Sequence, residues 1–173
     1  MTDGDGRAAQ ERLYAEALRE FGPAMARLAR GYERDEDRSR DLLQEIHLAI
    51  WRSFAQFDRR CSLRTWVYRV AHNTATSLVV RRPRQPLVSL DEAELVLPAA
   101  HAADPDRSLA LQRVLALVQS LRPIDRQVML LYLEGCDAAA IADVVGLSSG
   151  NVATKVHRIK QILMQQFHNG ARR

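Results

Sequence analysis

Apolar side chains recur at three- and four-residue steps through most of the 173-residue chain, and no stretch alternates in the manner of a strand. Leu13, Ala17, Leu18 and Phe21 form a stripe that ends at Gly22, and Pro23 stands where a new helix can start, followed by Met25, Leu28 and Ala29. An acidic cluster at 33–37 opens a longer helix marked by Leu42, Leu43, Ile46, Ile50 and Phe54. Ser62 suits the N-cap of the next, on which Leu63, Val67, Val70, Thr74 and Leu78 share one face. Pro83 and Pro86 stop that pattern, and Pro98 and Pro105 bracket a stretch rich in alanine and acid, with a short helical turn predicted near 91–96. A second helical set is predicted over 107–120, 124–134, 138–145 and 149–167. The expected fold class is all-α: two small helical domains, 8–82 and 107–168, joined by a flexible linker at 83–106.

Composition removes several function classes. No apolar run approaches the roughly 18–20 residues that span a bilayer, and the first thirty residues mix charge with apolar positions, so a cytoplasmic protein without membrane insertion of its own is expected. Cys61 and Cys136 are too few for a disulfide framework, and neither they nor His47, His72, His101, His157 and His168 have metal-ligand spacing. There is no glycine-rich phosphate loop and no nucleophile–base pair, so neither cofactor, metal site nor catalytic residues are expected.

The net charge of +4 changes the picture once it is divided along the chain. Residues 59–84 hold seven arginines and no acid, and residues 146–173 hold five basic groups and no acid. Two cationic blocks on helical sequence are either solvated surface or the footprint of a polyanion binder.

The second block overlaps a helix-turn-helix spacing. From Ala138, the small Ala142 permits close approach of two helices, and Gly146 falls where the chain must turn. Leu147 plugs the turn, and Ser148 or Ser149 can cap the second helix. Val152, Val156, Ile159 and Leu163 then point inward, leaving Asn151, Thr154, Lys155, His157 and Arg158 outward, as major-groove reading requires. An ordinary helical hairpin would use the same small residues. Arg122 and Arg126 just upstream are either phosphate contacts or solvated charges.

In the first domain, Asp41, Gln44 and Glu45 lie on one side of a helix whose other side, Leu42, Ile46 and Ile50, is apolar. The basic segment from Ser62 to Asn73 follows. An exposed acidic patch beside a cationic helix suits two partners, a protein and a nucleic acid. The run Asp41-Leu-Leu-Gln-Glu45 with Trp51 and Phe54, then Leu63-Arg-Thr-Trp-Val-Tyr-Arg-Val-Ala-His-Asn73, resembles region 2 of the sigma-70 family of bacterial transcription initiation factors, in its small extracytoplasmic-function form. Leu121-Arg-Pro-Ile-Asp-Arg126 with Tyr132-Leu-Glu-Gly135 resembles the entry to region 4 of the same family, which makes the helix-turn-helix its reader of the −35 promoter element.

The resemblance implies that Asp41, Gln44 and Glu45 dock on the β′ coiled coil of core RNA polymerase, while region 4 meets the β flap. It implies −10 contacts from Arg60, Arg64, Trp66, Arg69, Asn73, Ser77 and Arg81, and −35 contacts from Arg126, Ser149, Asn151, Thr154, Lys155 and Arg158. Trp51, Phe54 and Phe57 serve either as core or as base platforms. The family also implies an anti-sigma protein as partner, through which the chain could be tethered indirectly to a membrane. The chain departs from the family pattern at Ala140, Asn151, Ala153 and Ser77, which bears on the promoter sequence read. Rival readings are a dimeric helix-turn-helix regulator of duplex DNA and a helical enzyme or adaptor. The first leaves the Asp41–Glu45 patch unused, and the second needs no acid-free cationic blocks.

Overall fold

The computed structural model describes residues 3–81 and 105–170, and within them the side chains of 6–79 and 112–165. The described residues form α-helices α1 (Asp3–Tyr32), α2 (Glu36–Ser53), α3 (Leu63–Arg81), α4 (Pro105–Ser120), α5 (Pro123–Leu133), α6 (Ala138–Val145) and α7 (Ser149–Gly170), with one 3-10 turn at Phe54–Gln56 and no strand. The all-α expectation holds. Two compact units divide the chain at Pro83 and Arg84. Most of the linker, including the turn predicted near 91–96, lies outside the described residues.

In the first unit α1, α2 and α3 pack pairwise. The predicted break at Gly22 does not occur: α1 runs through Pro23 without ending. An interior proline costs roughly 3 kcal/mol in a helix. That cost is outweighed because the buried set Ala17, Phe21, Ala24, Met25, Leu28, Ala29 and Tyr32 keeps one helical phase across position 23, while Pro23 itself faces solvent. The acidic cluster does open α2: the Asp35 carboxylate accepts from the Arg38 N–H at 2.9 Å, and Glu36 and Asp37 lie in the first turn, where they meet the positive end of the helix dipole. Ser62 caps α3 as expected, accepting from the Thr65 N–H at 3.0 Å.

The buried face of α3 differs from the predicted one. It is Val67, Tyr68, Ala71, His72 and Ala75, whereas Leu63, Val70, Thr74 and Leu78 are only partly covered. Apolar residues surround this helix, so periodicity alone does not choose a face; the small Ala71 and Ala75 let the neighbouring helices approach and decide it.

His72 is fully buried between Tyr32, whose hydroxyl shares a 3.0 Å hydrogen bond with His72 Nδ1, and Tyr68, stacked at 6.4 Å. Burial lowers its pKa from 6.5 to about 3, so the ring is neutral in the fold. The unfolded chain binds a proton below 6.5 that the folded chain refuses, so stability present above that pH is lost as pH falls toward 3. Acidification from pH 7 to 5 should lower the unfolding free energy of this unit by about 2 kcal/mol through His72 alone. His72→Phe should flatten that part of the acid limb. Urea titrations at the two pH values check it, and equal pH dependence in parent and variant would contradict the neutral-histidine account.

In the second unit α5, α6 and α7 pack on one another and α4 packs on α5. Val118, Val128, Leu131, Ile141, Val152 and Ile159 are its innermost residues. Asp137 caps α6 by accepting from the Ala140 N–H at 2.8 Å. Gly146 ends it in the left-handed region at φ 73°, donating its N–H to the Ala142 carbonyl at 2.9 Å. Ser148, rather than Ser149, caps α7, accepting from the Asn151 N–H at 3.3 Å.

Candidate nucleic-acid interface

Asp41, Gln44 and Glu45 stand exposed on α2, opposite the buried Leu42, Ile46 and Ile50. Leu48, 40% exposed, continues the same stripe one turn on, and it escapes a sequence reading that assigns leucines to the core. An apolar side chain flanked by acids and an amide is a surface that a cationic protein partner can desolvate.

The polar loop and α3 form a second surface. The indole N–H of Trp66 donates to Ser53 Oγ at 2.9 Å, and the ring is half-buried with the Phe57 ring 5.2 Å away. Phe57 in turn meets the buried Phe54 at 6.1 Å. Phe54 is core, while Trp51, Phe57 and Trp66 remain partly open. The Trp66 N–H is used within the protein, and its ring stays partly open. The loop between α2 and α3 is stiffened by Asp58, which accepts from the Arg60 backbone N–H at 3.1 Å and pairs with the Arg60 guanidinium. The backbone bond and then the guanidinium hold the Asp58 carboxyl below its ordinary range. Between them Arg59 adopts φ 61°, a left-handed conformation that costs a non-glycine residue about 1–2 kcal/mol.

Trp66, Arg69, Asn73 and Ser77 follow one another at three- and four-residue steps along α3, the last two exposed. Arg64 is exposed with its guanidinium 5.7 Å over the Tyr68 ring. The side chain of Arg81 lies outside the described ones.

On α7, Ser149, Asn151, Thr154, His157 and Arg158 are exposed and Val152 and Ile159 are fully buried, whereas Val156 and Leu163, expected inside, and Lys155, expected outside, are partly covered. The Thr154 hydroxyl donates to the Gly150 carbonyl at 3.0 Å and keeps acceptor capacity.

Two of the residues assigned to the −35 contact are turned toward the protein. Arg126 is 4% exposed, and its guanidinium donates to the carbonyls of Gln119 and Leu121, the latter at 3.2 Å. It closes the C-terminal end of α4, where unpaired carbonyls gather negative charge, and is buried away from any phosphate. Lys155 Nζ lies 2.7 Å from Asp125 Oδ1, with the lysine side chain only 27% exposed and the aspartate fully buried. Arg122 Nε takes the other carboxylate oxygen at 3.1 Å. Lys155 is therefore an internal brace between α5 and α7. Asp125 is the residue sequence reasoning missed; the only hint is an acid three residues after Arg122.

Sigma-70 region 2 matches residues 17–85, and Sigma-70, region 4 matches residues 111–163. The chain belongs to the sigma-70 family. It is a member of the extracytoplasmic-function type. It is 30% identical to the probable RNA polymerase sigma factor RfaY of Xanthomonas campestris pv. campestris over 84% of this chain and 39% of that protein. It thus spans about two fifths of that relative's length. To the RNA polymerase sigma factor CnrH of Cupriavidus metallidurans it is 29% identical over 87% of this chain and 84% of that one. A structure of CnrH in complex with the cytosolic domain of CnrY superposes with a TM-score of 0.69, at 21% identity over 96% of this chain and 94% of that chain, a likeness of fold.

In this sigma-70 chain the acidic stripe of α2 and the aromatic column with α3 fall within the region 2 match. The helix-turn-helix falls within the region 4 match. Among the described residues no helix is long and apolar enough to cross a membrane, and no cluster of histidine, cysteine and acid could hold a metal ion.

Proposed function

We propose that this chain is a promoter-specificity subunit of RNA polymerase that works in the cytoplasm and performs no chemistry itself. Residues 8–82 act as region 2, 107–168 as region 4, and 83–106 as the linker between them. The observation that carries the reading is that each matched region closes an apolar core and leaves a chemically distinct face exposed: acid and amide on α2, polar and cationic groups on α3 and α7.

Asp41, Gln44 and Glu45, joined by Leu48, bind the polymerase β′ coiled coil, and region 4 meets the β flap. Arg60, Arg64, Arg69 and Arg81 supply cationic contacts to the separating −10 strand, with Asn73 and Ser77 as hydrogen-bonding groups along α3. Extruding a base costs a few kcal/mol in lost stacking, which contact with the Trp66 and Phe57 rings offsets. Asn151, Thr154 and Arg158 read base edges in the −35 major groove, with Ser149 at the helix entry toward phosphate.

Pull-down with core polymerase followed by run-off transcription tests the reading. Capture by core and promoter-dependent transcripts are expected; tight duplex binding as a dimer without polymerase would favour a helix-turn-helix regulator instead. On a panel of −35 variants, Arg158→Ala should lose discrimination at one base pair, worth about 1–3 kcal/mol. A uniform loss across the panel, with a shallower salt dependence, would make Arg158 a phosphate contact.

The CnrH structure contains a second protein, CnrY. By analogy an anti-sigma protein covers the exposed faces of this chain and competes with core polymerase, tethering it to the membrane where that partner is anchored there. Purification from uninduced cells should recover such a protein with the chain. Recovery of the chain alone or with polymerase only would count against it.

A further inference from the structure

We propose that Asp125 is a positioning residue for promoter reading: its buried carboxylate, by holding Lys155, sets the rotation of α7 that presents Asn151, Thr154 and Arg158 to the groove. This rests on the reading of α7 as the −35 helix. At 3.6 residues per turn, Thr154 and Arg158 lie on one side of Asn151, and Lys155 lies about 40° to its other side, toward Val152 and Ile159. Lys155 therefore occupies the border between the exposed face and the core.

Val152 and Ile159, both fully buried, keep one face of α7 against α5 and α6, but apolar contacts are non-directional and fix that face less finely than a hydrogen bond. The 2.7 Å bond from Lys155 Nζ to Asp125 Oδ1 is directional and joins α7 to a fully buried atom of α5. Its counterpart, the 3.1 Å bond from Arg122 Nε to Oδ2, holds the carboxylate from the N-terminal end of α5. Without Lys155 the carboxylate, at 0% exposure, would keep only the half-exposed Arg122 as its charged partner, a costly loss, so the lysine is held toward it rather than released to a phosphate. The same pairing ties the Lys155 charge to Asp125, and the helix approaches DNA with its polar readers foremost and this cation drawn back.

The experiment uses the full chain with core polymerase on a promoter and on templates carrying single −35 substitutions, at several salt concentrations. The variants are Asp125→Asn, Lys155→Met and, as the conservative replacement, Lys155→Arg. For the parent, a substituted −35 pair is expected to lower transcription about tenfold or more. In Asp125→Asn and Lys155→Met that ratio should shrink to about two- to threefold, while Lys155→Arg, which can still bond the carboxylate, should keep most of it. A change that merely weakened the fold would lower transcription on every template alike and leave the ratio in place. The salt dependence of Lys155→Met should match the parent, since no phosphate contact is removed. If Asp125→Asn does not fold, the two Lys155 variants decide the matter.

Parental discrimination retained in Lys155→Met, or a salt slope lower by about one, would overturn the proposal and make Lys155 a phosphate ligand. A parent with no −35 preference at all would overturn instead the reading of α7 on which it rests.

Discussion

Replacing Asp41 and Glu45 together by alanine should lower the affinity of the chain for core RNA polymerase by about thirtyfold or more. Both side chains are exposed on α2, so neither contributes to the core formed by Leu42, Ile46 and Ile50, and the variant keeps its helicity and melting behaviour. What it loses is complementarity to a cationic partner. Truncating one side of a desolvated, hydrogen-bonded charge pair at an interface costs about 2–5 kcal/mol, much of it from the charge left behind on the partner. Leu48→Ala should add a smaller loss, since its exposed methyl groups have apolar surface to gain at the same contact. Titration of core polymerase with labelled chain, with circular dichroism as the folding control, measures both. A double variant that binds core as tightly as the parent would move the docking surface elsewhere.

Trp66→Ala should reduce run-off transcription from duplex promoters by about ten- to a hundredfold, and much less from a template already unpaired at the −10 element. Stacking of a base on an aromatic ring is worth about 1–3 kcal/mol by alanine substitution, and melting is the step that needs it. Trp66→Phe should keep most of the activity, because the ring face is retained and the indole N–H is committed to Ser53 rather than to DNA. Ser53→Ala releases that N–H and should have an effect intermediate between the two. Equal losses on duplex and pre-melted templates would leave Trp66 with the packing role that its 5.2 Å contact with Phe57 already gives it.

Elements closed by neighbours in sequence were legible in advance. Gly146 and Ser148 bound α6 and α7 through bonds spanning three or four residues, so the helix-turn-helix and its exposed Asn151, Thr154 and Arg158 could be read along the chain. The acidic stripe of α2 was legible for the same reason: Asp41, Gln44 and Glu45 are out of phase with a strongly apolar repeat.

Tertiary structure decided the rest. Pro23 reads locally as a boundary, and only the continuous buried face from Ala17 to Tyr32 keeps α1 intact across it. On α3, apolar residues on all sides left the buried face to be chosen by the helices it meets. Arg126 and Lys155 read as cations available to DNA, because a long charged side chain looks the same in sequence whether its head lies in water or turns inward. The partner decides: carbonyls at the end of α4 for Arg126, and for Lys155 a carboxylate thirty residues away on α5. Sequence by itself determined which segments are helical and which family they belong to; desolvation, set by what the fold brings within bonding distance, determined which charges remain on the surface.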